Sequence, residues 1–326
     1  MTRTVATRVL VVMAALVAAA RCGGDSERPT TQVDVDRSSE VTSRTETFVD
    51  RSRPTAAAGD QAARPERTLR TITYYPVGDG RFPLVVFAHG NTGADPGYYR
   101  VLLDSWAAAG YVVAAPIFPL SSTRLPGGGG DLVNQPADVS FVISEMLRLN
   151  GEPGGPYTGR IDPGRIGVAG HSLGAMTTLG VGFHSCCLDD RIRAGIVLAG
   201  RERPFPTGSF FPGTRTPILI VHGDSDPLIP LESARQIYDD ARGPRFMITI
   251  VRGDHDSPYA GINGQVQPDT RLVMTATLDF LDHYLKDRAD GLDRLRDNLA
   301  GQALARLEMR AEVRLMAPTN LGGDGG

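Results

Sequence analysis

The sequence predicts an α/β protein in which a mostly parallel, twisted β-sheet carries helices on both faces. Short apolar runs rich in β-branched residues alternate along the chain with longer segments whose apolar residues recur at helical spacing. The short runs show no alternation with polar residues, and such strands are buried on both faces, as in a parallel sheet. Because parallel strands need long connections, the helices between the runs complete the pattern.

Six buried strands and five helices are expected in the central part of the chain. The strands are predicted at residues 84–88, 112–115, 166–169, 196–198, 218–221 and 247–251. The helices are predicted at residues 98–109, 136–149, 173–182, 231–240 and 270–285, each with apolar residues at helical spacing. Ahead of them, apolar residues that alternate with polar ones from Leu69 to Tyr74 predict an edge strand.

The flanking segments set the limits of the predicted domain at residues 67 and 289. Residues 23–66 are rich in Ser, Thr, Arg, Asp and Ala and show no apolar periodicity, which predicts a disordered linker. Residues 290–326 are predicted to form a C-terminal helix, to about residue 316, and then a disordered tail. Only 16 residues, 201–216, separate two of the central strands, so no large cap domain is expected over the sheet.

The first 22 residues have the pattern of an export signal. Arg3 and Arg8 give a basic start, and the apolar run at 9–20 is too short to span a bilayer as a helix. Cys22 follows, which resembles the lipidated cysteine of a bacterial lipoprotein, although Arg21 stands where a small residue is usual. We therefore expect an exported protein, either secreted or anchored to the cell envelope through Cys22.

Composition and charge exclude one kind of partner. Apolar residues make up 41% of the chain and charged residues 22%, and the formal net charge is −3. These values are ordinary for a globular enzyme, and they give no field strong enough to attract a polyanion. Nucleic acid is therefore not expected as a partner.

The cysteine and histidine pattern does not support a metal centre. The sequence has no Cys-x-x-Cys pair and no His-Glu-x-x-His run, so neither a metal nor an organic cofactor is expected. Cys186 and Cys187 are neighbours that could form a vicinal disulfide, stay unpaired or bond to another chain. His184 and His283 are expected at the surface.

The strongest chemical signal is the motif Gly-His-Ser-Leu-Gly at residues 170–174. It comes directly after a predicted strand and directly before a predicted helix, which is the context that a sharp strand-to-helix turn requires. The glycines allow neighbouring backbone to approach closely, and Ser172 is expected to project its hydroxyl above the sheet at the positive end of the helix. Ser172 is therefore the candidate nucleophile.

A nucleophilic serine needs an imidazole to accept its proton and a carboxylate to orient that imidazole. Asp226 follows the strand at 218–221 and His255 follows the strand at 247–251, which places both at carboxyl ends of parallel strands. The chain order serine, aspartate, histidine is the one that accompanies such a turn. Asp224 shares the turn of Asp226, and we interpret it as a turn residue that bonds backbone.

The oxyanion formed in an acyl-transfer reaction needs N–H donors beside the serine. We assign these donors to the backbone amides of Leu173, which follows Ser172, and of Asn91, in the loop after the first buried strand. His89 in that loop is expected to brace it through hydrogen bonds. Trp106 is the only tryptophan, and we expect it in the core.

Four motifs together resemble the α/β-hydrolase superfamily: Ala-His-Gly-Asn at 88–91, Gly-His-Ser-Leu-Gly at 170–174, His-Gly-Asp-Ser-Asp-Pro at 222–227 and Gly-Asp-His at 253–255. Over residues 68–288 the chain resembles the bacterial group of dienelactone-hydrolase-like proteins, platelet-activating-factor-acetylhydrolase-like esterases and cutinase-like polyester hydrolases. Dienelactone hydrolases use a cysteine nucleophile, so Ser172 moves the resemblance toward the esterases. It implies an α/β-hydrolase fold.

These residues predict a carboxylic ester hydrolase that works through a Ser-His-Asp triad and an acyl-enzyme intermediate. The predicted partner is a small-molecule or lipid-like ester, and the predicted enzyme is a monomer without a cofactor. Two alternatives stay open. One is an envelope acyltransferase that passes the same acyl group to an alcohol, and the other is a catalytically silent binding protein on the same fold.

Overall fold

The computed structural model describes residues 39–59, 61–91, 96–121 and 128–311. The predicted export signal with Cys22 lies outside the described residues, as do residues 23–38 of the predicted linker and the chain after residue 311. No helix in the described part of the chain has the length and apolar character that crossing a membrane requires.

One sheet of nine strands forms the centre of the described fold. The strands are β1 (Val41–Asp50), β2 (Arg67–Pro76), β3 (Phe82–Ala88), β4 (Val112–Ile117), β5 (Ile161–His171), β6 (Ile192–Leu198), β7 (Ile218–Gly223), β8 (Arg245–Ile250) and β9 (Ala305–Arg310). Their spatial order is β1-β2-β4-β3-β5-β6-β7-β8-β9. Strands β3 to β8 are parallel to one another, and β1, β2 and β9 pair antiparallel at the sides. The predicted buried strands overlap β3 to β8, which confirms the mostly parallel α/β sheet.

Helices cover both faces of this sheet. They are α1 (Arg100–Ala108), α2 (Gln135–Gly151), α3 (Leu173–Phe183), α4 (Leu231–Asp240), α5 (Ser257–Ala260), α6 (Pro268–Lys286) and α7 (Gly291–Leu299), with 3₁₀ turns at Pro96–Tyr99 and Gly128–Val133. Neighbouring residues of a strand point to opposite faces. In β3, Val85 and Phe87 pack with α1 and α6, whereas Leu84 and Val86 pack with α2. The predicted helices overlap α1, α2, α3, α4 and α6.

Helix α3 is enclosed on all sides. All eleven of its residues are buried, and it contacts β3, β5, β6 and α2. A helix that is apolar all round belongs in the interior of a protein. Because α3 begins directly after Ser172, its packing fixes the position of that serine at the edge of the sheet.

Strand β1 corrects the predicted linker. The prediction of disorder for residues 23–66 is wrong for residues 41–50, which form β1 and pair with β2 along their whole length. Phe48 of β1 is 4% exposed and packs in the core. After β1, an isolated bridge joins Thr55 to Arg64. Pairing with a distant strand stabilises β1, and a search for local apolar periodicity cannot detect such pairing.

The C-terminal part of the described chain also differs from the prediction. The helix expected from residue 290 to about 316 ends at Leu299, and Gly301 follows with a φ of 71° that favours glycine. Residues Ala305–Arg310 form β9 beside β8. Ala305, Leu307 and Met309 pack on the core, so the apolar residues here follow the period of a strand.

We predict that a chain beginning at Ser39 is more stable than one beginning at Arg67, which keeps all of β2. The shorter chain loses β1 and the buried ring of Phe48, which should lower the free energy of unfolding by at least about 3 kcal/mol. It also leaves β2 as an unprotected edge strand, which favours aggregation. Urea unfolding followed by circular dichroism measures the difference. Equal stability of the two chains would show that β1 is not part of the cooperative fold.

Candidate active site

The turn between β5 and α3 holds Ser172 in a strained backbone conformation, with a φ of 55° and a ψ of −115°. A Cβ on Gly170 would lie 2.2 Å from the carbonyl oxygen of Gly174, and a Cβ on Gly174 would lie 2.0 Å from the carbonyl oxygen of Ala88. Both positions therefore require glycine for the turn to close. This geometry agrees with the sharp strand-to-helix turn predicted at residues 170–174.

The loops after β7 and β8 bring an aspartate and a histidine to this serine. Nε2 of His255 lies 2.9 Å from Oγ of Ser172, and Nδ1 of His255 lies 2.7 Å from Oδ2 of Asp226. The two loops approach each other so closely that a Cβ on Gly223 would lie 2.1 Å from the carbonyl oxygen of Gly253. The structure thus brings the three predicted side chains into one hydrogen-bonded row.

The carboxylate of Asp226 is held on both oxygens. Oδ1 accepts hydrogen bonds from the backbone amides of Leu228 and Ile229 at 2.8 and 2.9 Å, while Oδ2 faces His255. Burial by itself would raise the pKa of Asp226, but the hydrogen bonds from His255 and the two amides outweigh it and lower that pKa. The carboxylate is therefore ionised at neutral pH.

Asp224 has a different environment. Its Oδ1 accepts the backbone N–H of Arg252 at 2.6 Å, which ties the loop after β7 to the loop after β8. Arg252 has a φ of 59°, so this hydrogen bond holds a residue in a left-handed conformation. The structure brings Asp226 rather than Asp224 to His255, and Asp224 bonds backbone as interpreted from the sequence.

His222 lies behind the carboxylate. Its Nε2 donates to the carbonyl oxygen of Ile229 at 2.9 Å and lies 3.3 Å from Oδ2 of Asp226. Burial lowers the pKa of His222, so the ring is neutral at neutral pH. A neutral donor at this position steadies the loop without neutralising the charge of Asp226.

A buried hydrogen-bond chain connects the loop after β3 to His255. The backbone N–H of Gly90 donates to the Tyr99 hydroxyl at 3.0 Å, and that hydroxyl lies 2.8 Å from Nδ1 of His171. Nε2 of His171 lies 2.6 Å from the carbonyl oxygen of His255. A carbonyl only accepts, so Nε2 carries the proton and Tyr99 donates to Nδ1. Burial lowers the pKa of His171 to about 3, so the ring is neutral.

The predicted oxyanion residues lie beside Ser172. A Cβ on Gly90 would lie 3.2 Å from Cβ of Ser172, so the loop that contains Asn91 adjoins Ser172. Leu173 is the first residue of α3, where backbone N–H groups have no acceptor within the helix. The amides of Asn91 and Leu173 as oxyanion donors stay a prediction, because the loop is described only up to Asn91.

Comparison with known families agrees with this architecture. A family model described as Chlorophyllase matches residues 43–196, a little less than half of the chain. The fold is that of an α/β-hydrolase. The match indicates an esterase or hydrolase of this type, and no curated protein matches the chain.

The matched region of this α/β-hydrolase begins in β1 and ends in β6. It includes Ser172 and ends before Asp226 and His255, so it bears on the nucleophile turn and leaves the acid and the base untested. Its start within β1 agrees with the corrected boundary of the folded part. The narrower resemblance to dienelactone-hydrolase-like, acetylhydrolase-like or cutinase-like proteins stays a prediction.

An apolar cluster, which the sequence analysis did not predict, borders Ser172 on the α3 side. Its members are each at most 8% exposed: Leu132, Leu173, Met176, Phe205 and Ile229. Leu173 follows the nucleophile and Ile229 bonds Asp226 through its amide, so the cluster reaches both ends of the hydrogen-bonded row. Leu228, beside it in sequence, is 63% exposed. The members come from separate segments, which is why no single motif indicates the cluster.

The remaining aromatic and histidine predictions have mixed outcomes. His89 braces its loop as expected, since Nε2 accepts the N–H of Phe118 at 3.1 Å and Nδ1 donates to the carbonyl oxygen of Gly90 at 2.8 Å. Trp106 is fully buried in the core. The surface position expected for His184 is wrong, because that residue is 2% exposed.

We predict that Tyr99→Phe lowers kcat for a short-chain chromogenic ester by between about 10- and 100-fold with little change in KM. The change removes the hydroxyl that links Gly90 to His171, and a small displacement of catalytic groups costs activity of this order. Steady-state kinetics of the purified variant measure both constants.

Tyr157→Phe is the matched control for that variant. Its hydroxyl is also buried, and it bonds Thr73 at 2.7 Å and Glu46 at 3.0 Å, away from the site. The Tyr157→Phe variant should retain the wild-type kcat although it also loses a buried hydroxyl and its hydrogen bonds. Comparable losses of kcat in the two variants would mean that general destabilisation, rather than the connection to His171, explains the effect.

Proposed function

We propose that the chain hydrolyses carboxylic esters, with Ser172 as nucleophile, His255 as general base and Asp226 as the acid that orients the base. The observation that supports this most is the row of hydrogen bonds of 2.9 and 2.7 Å from the serine through the imidazole to the carboxylate. The row lies at the carboxyl ends of β5, β7 and β8, the edge where parallel sheets carry their sites. The family match supports an esterase on this fold.

Acylation begins with the proton of the Ser172 hydroxyl. His255 accepts it through Nε2 while Oγ attacks the ester carbonyl carbon, and Asp226 stabilises the imidazolium through the hydrogen bond at Nδ1. The negative charge then lies on the former carbonyl oxygen, which the amides of Asn91 and Leu173 hold. His255 passes the proton to the alcohol oxygen as the carbon–oxygen bond breaks, and the acyl-enzyme forms.

Water completes the cycle. His255 removes a proton from a water molecule, whose oxygen attacks the acyl carbon, and the same amides hold the second oxyanion. The bond to Ser172 breaks as His255 returns the proton to Oγ, which releases the carboxylic acid. Asp226 stays ionised throughout, because hydrogen bonds outweigh its burial and lower its pKa.

We propose that the substrate is a small-molecule or lipid-like ester with an apolar portion. The exposed side chain of Leu228, next to Ile229 of the buried apolar cluster, offers such a portion a contact beside the loop that carries Asp226. The name of the matched family refers to chlorophyll, and we carry over only its ester chemistry to this chain. A series of esters with longer acyl and alcohol parts would locate the apolar portion.

We predict that Ser172→Ala lowers kcat for a short-chain chromogenic ester by about 10⁶-fold, because the acyl-enzyme cannot form. Far-UV circular dichroism should be unchanged, since the variant removes one oxygen atom from the turn. Wild-type activity in Ser172→Ala would remove the assignment.

Two further measurements on the wild-type chain separate the alternatives. If a competing alcohol diverts the product from free acid to a new ester, the chain is an acyltransferase that uses the same acyl-enzyme. A fluorophosphonate probe labels Ser172 only if the hydroxyl is activated. A folded wild-type chain that stays unlabelled would favour the silent binding protein.

We predict different effects for the two neighbouring aspartates. Asp226→Asn should lower kcat by about 10⁴-fold, because the amide no longer fixes the tautomer of His255. Asp224→Asn keeps an oxygen acceptor for the N–H of Arg252 and should retain kcat within about threefold. Steady-state kinetics of the two variants show which aspartate orients His255. A larger loss of kcat in Asp224→Asn than in Asp226→Asn would assign that role to Asp224.

A further inference from the structure

A tight turn at the far end of α3 brings a histidine and two cysteines together. Cys186 and Cys187 form a vicinal disulfide in the structure, the first of the three possibilities that the sequence left open. The two sulfur atoms and a ring nitrogen of His184 all lie within 4.8 Å of one another. Sequence reasoning missed this group because it placed His184 at the surface, away from the cysteines.

Hydrogen bonds to a neighbouring segment hold this turn in place. The N–H of Cys187 donates to the carbonyl oxygen of His184 at 3.1 Å, which closes the turn on itself. The N–H of Ser185 donates to the carbonyl oxygen of Ser209 at 3.0 Å, and Ser209 donates from its own N–H to the Ser185 hydroxyl at 2.9 Å. Opening the disulfide would therefore leave the backbone that carries the three side chains fixed.

The imidazole of His184 is fixed as well. Its ring packs between Phe205 and Phe210, with centroid distances of 4.9 and 4.5 Å. Nδ1 accepts the N–H of Cys186 in a long hydrogen bond of 3.2 Å, so the lone pair of this nitrogen points toward the backbone of Cys186. The ring also borders a cavity of about 450 Å³, and Cys186 is exposed to solvent.

We propose that reduction of the Cys186–Cys187 disulfide opens a site for one thiophilic divalent cation of the zinc type, bound by both Sγ atoms and by Nδ1 of His184. Two thiolates and one imidazole form a soft donor set. Zinc-type cations bind such a set in preference to oxygen ligands, whereas magnesium and calcium prefer oxygen. Coordination replaces only the long hydrogen bond from Cys186 to the ring. Three protein ligands leave a fourth position for water.

The chemistry balances with a phosphine or a thiol as the reductant. A phosphine supplies two electrons, and one water molecule supplies its oxygen and two protons, which yields two cysteine thiols and one phosphine oxide. Two thiol molecules each supply one electron and one proton to the disulfide, which yields two cysteine thiols and one oxidised disulfide of the reductant. Binding of the cation then displaces the two thiol protons, so the bound cation is held by two thiolates and the neutral imidazole.

The atoms that would bind the cation are remote from Ser172, although Phe205 of the apolar cluster packs against His184. The eleven residues of α3 lie between Ser172 and His184, a distance of roughly 16 Å along the helix. Metal binding and ester turnover can therefore be measured independently, and failure of either leaves the other standing.

The test uses the full chain carrying Cys22→Ser, which removes the third thiol of the sequence. The protein is reduced with a phosphine, its thiols are counted with a disulfide reagent, and Cd²⁺ is titrated while thiolate-to-metal absorption is recorded. We expect two titratable thiols and one Cd²⁺ per chain after reduction, and no such absorption before it. A reduced, folded chain with two free thiols that gives no thiolate-to-metal absorption would overturn the proposal.

Variants of one histidine and its matched control identify the nitrogen ligand. His184→Asn should weaken Cd²⁺ binding by at least about tenfold, whereas His283→Asn, a partly buried histidine on α6, should not change it. Equal affinity in all three chains would overturn the part played by His184.

A second measurement uses the chain without histidine substitutions, so that misfolding of a variant cannot explain its result. X-ray absorption of Zn²⁺ bound to the reduced chain should show two sulfur ligands at about 2.3 Å and at least one nitrogen at about 2.0 Å. A shell without sulfur would place the cation elsewhere and refute the assignment.

Discussion

The hydrogen bond between Oγ of Ser172 and Nε2 of His255 is the interaction on which the rest of the site depends, because a proton moves between these atoms only at hydrogen-bond distance. The serine follows β5 and the histidine follows β8, and β6 and β7 lie between these strands. The distance of 2.9 Å therefore reflects the register of three successive parallel pairings. The sheet is the part of the molecule that sets the chemistry, and the loops only complete it.

Backbone contact between the loops adds a second constraint. The turn at Gly174 touches the end of β3, and Gly223 touches Gly253. At these points no side chain separates the segments, so the backbones are already in contact and cannot move closer together. His171 supplies the remaining connection between the loop after β3 and the loop after β8. Because burial keeps its ring neutral, this connection adds no charge next to the base.

The sequence was informative where the physical signal is local. Apolar runs of three to five residues indicated the central strands, and glycines around Ser172 indicated the sharp turn. Strands β1 and β9 escaped prediction because each pairs on one side only and needs few apolar residues. The link through Tyr99 and the apolar cluster beside α3 join residues far apart in the chain, so only the folded backbone reveals them.

The direction of β1 determines where the chain enters the domain. β1 runs opposite to β2, and β2 runs opposite to β4, so β1 points the same way as the parallel strands. Its first residue, Val41, therefore lies at the amino end of the sheet, and the amide of Ser39 bonds the last residue of α1 there. A support or fusion partner joined by a short connection ahead of Ser39 is thereby attached at the rear of the domain. Immobilisation through this end of the polypeptide leaves the opposite edge of the sheet, which carries Ser172, facing bulk solvent.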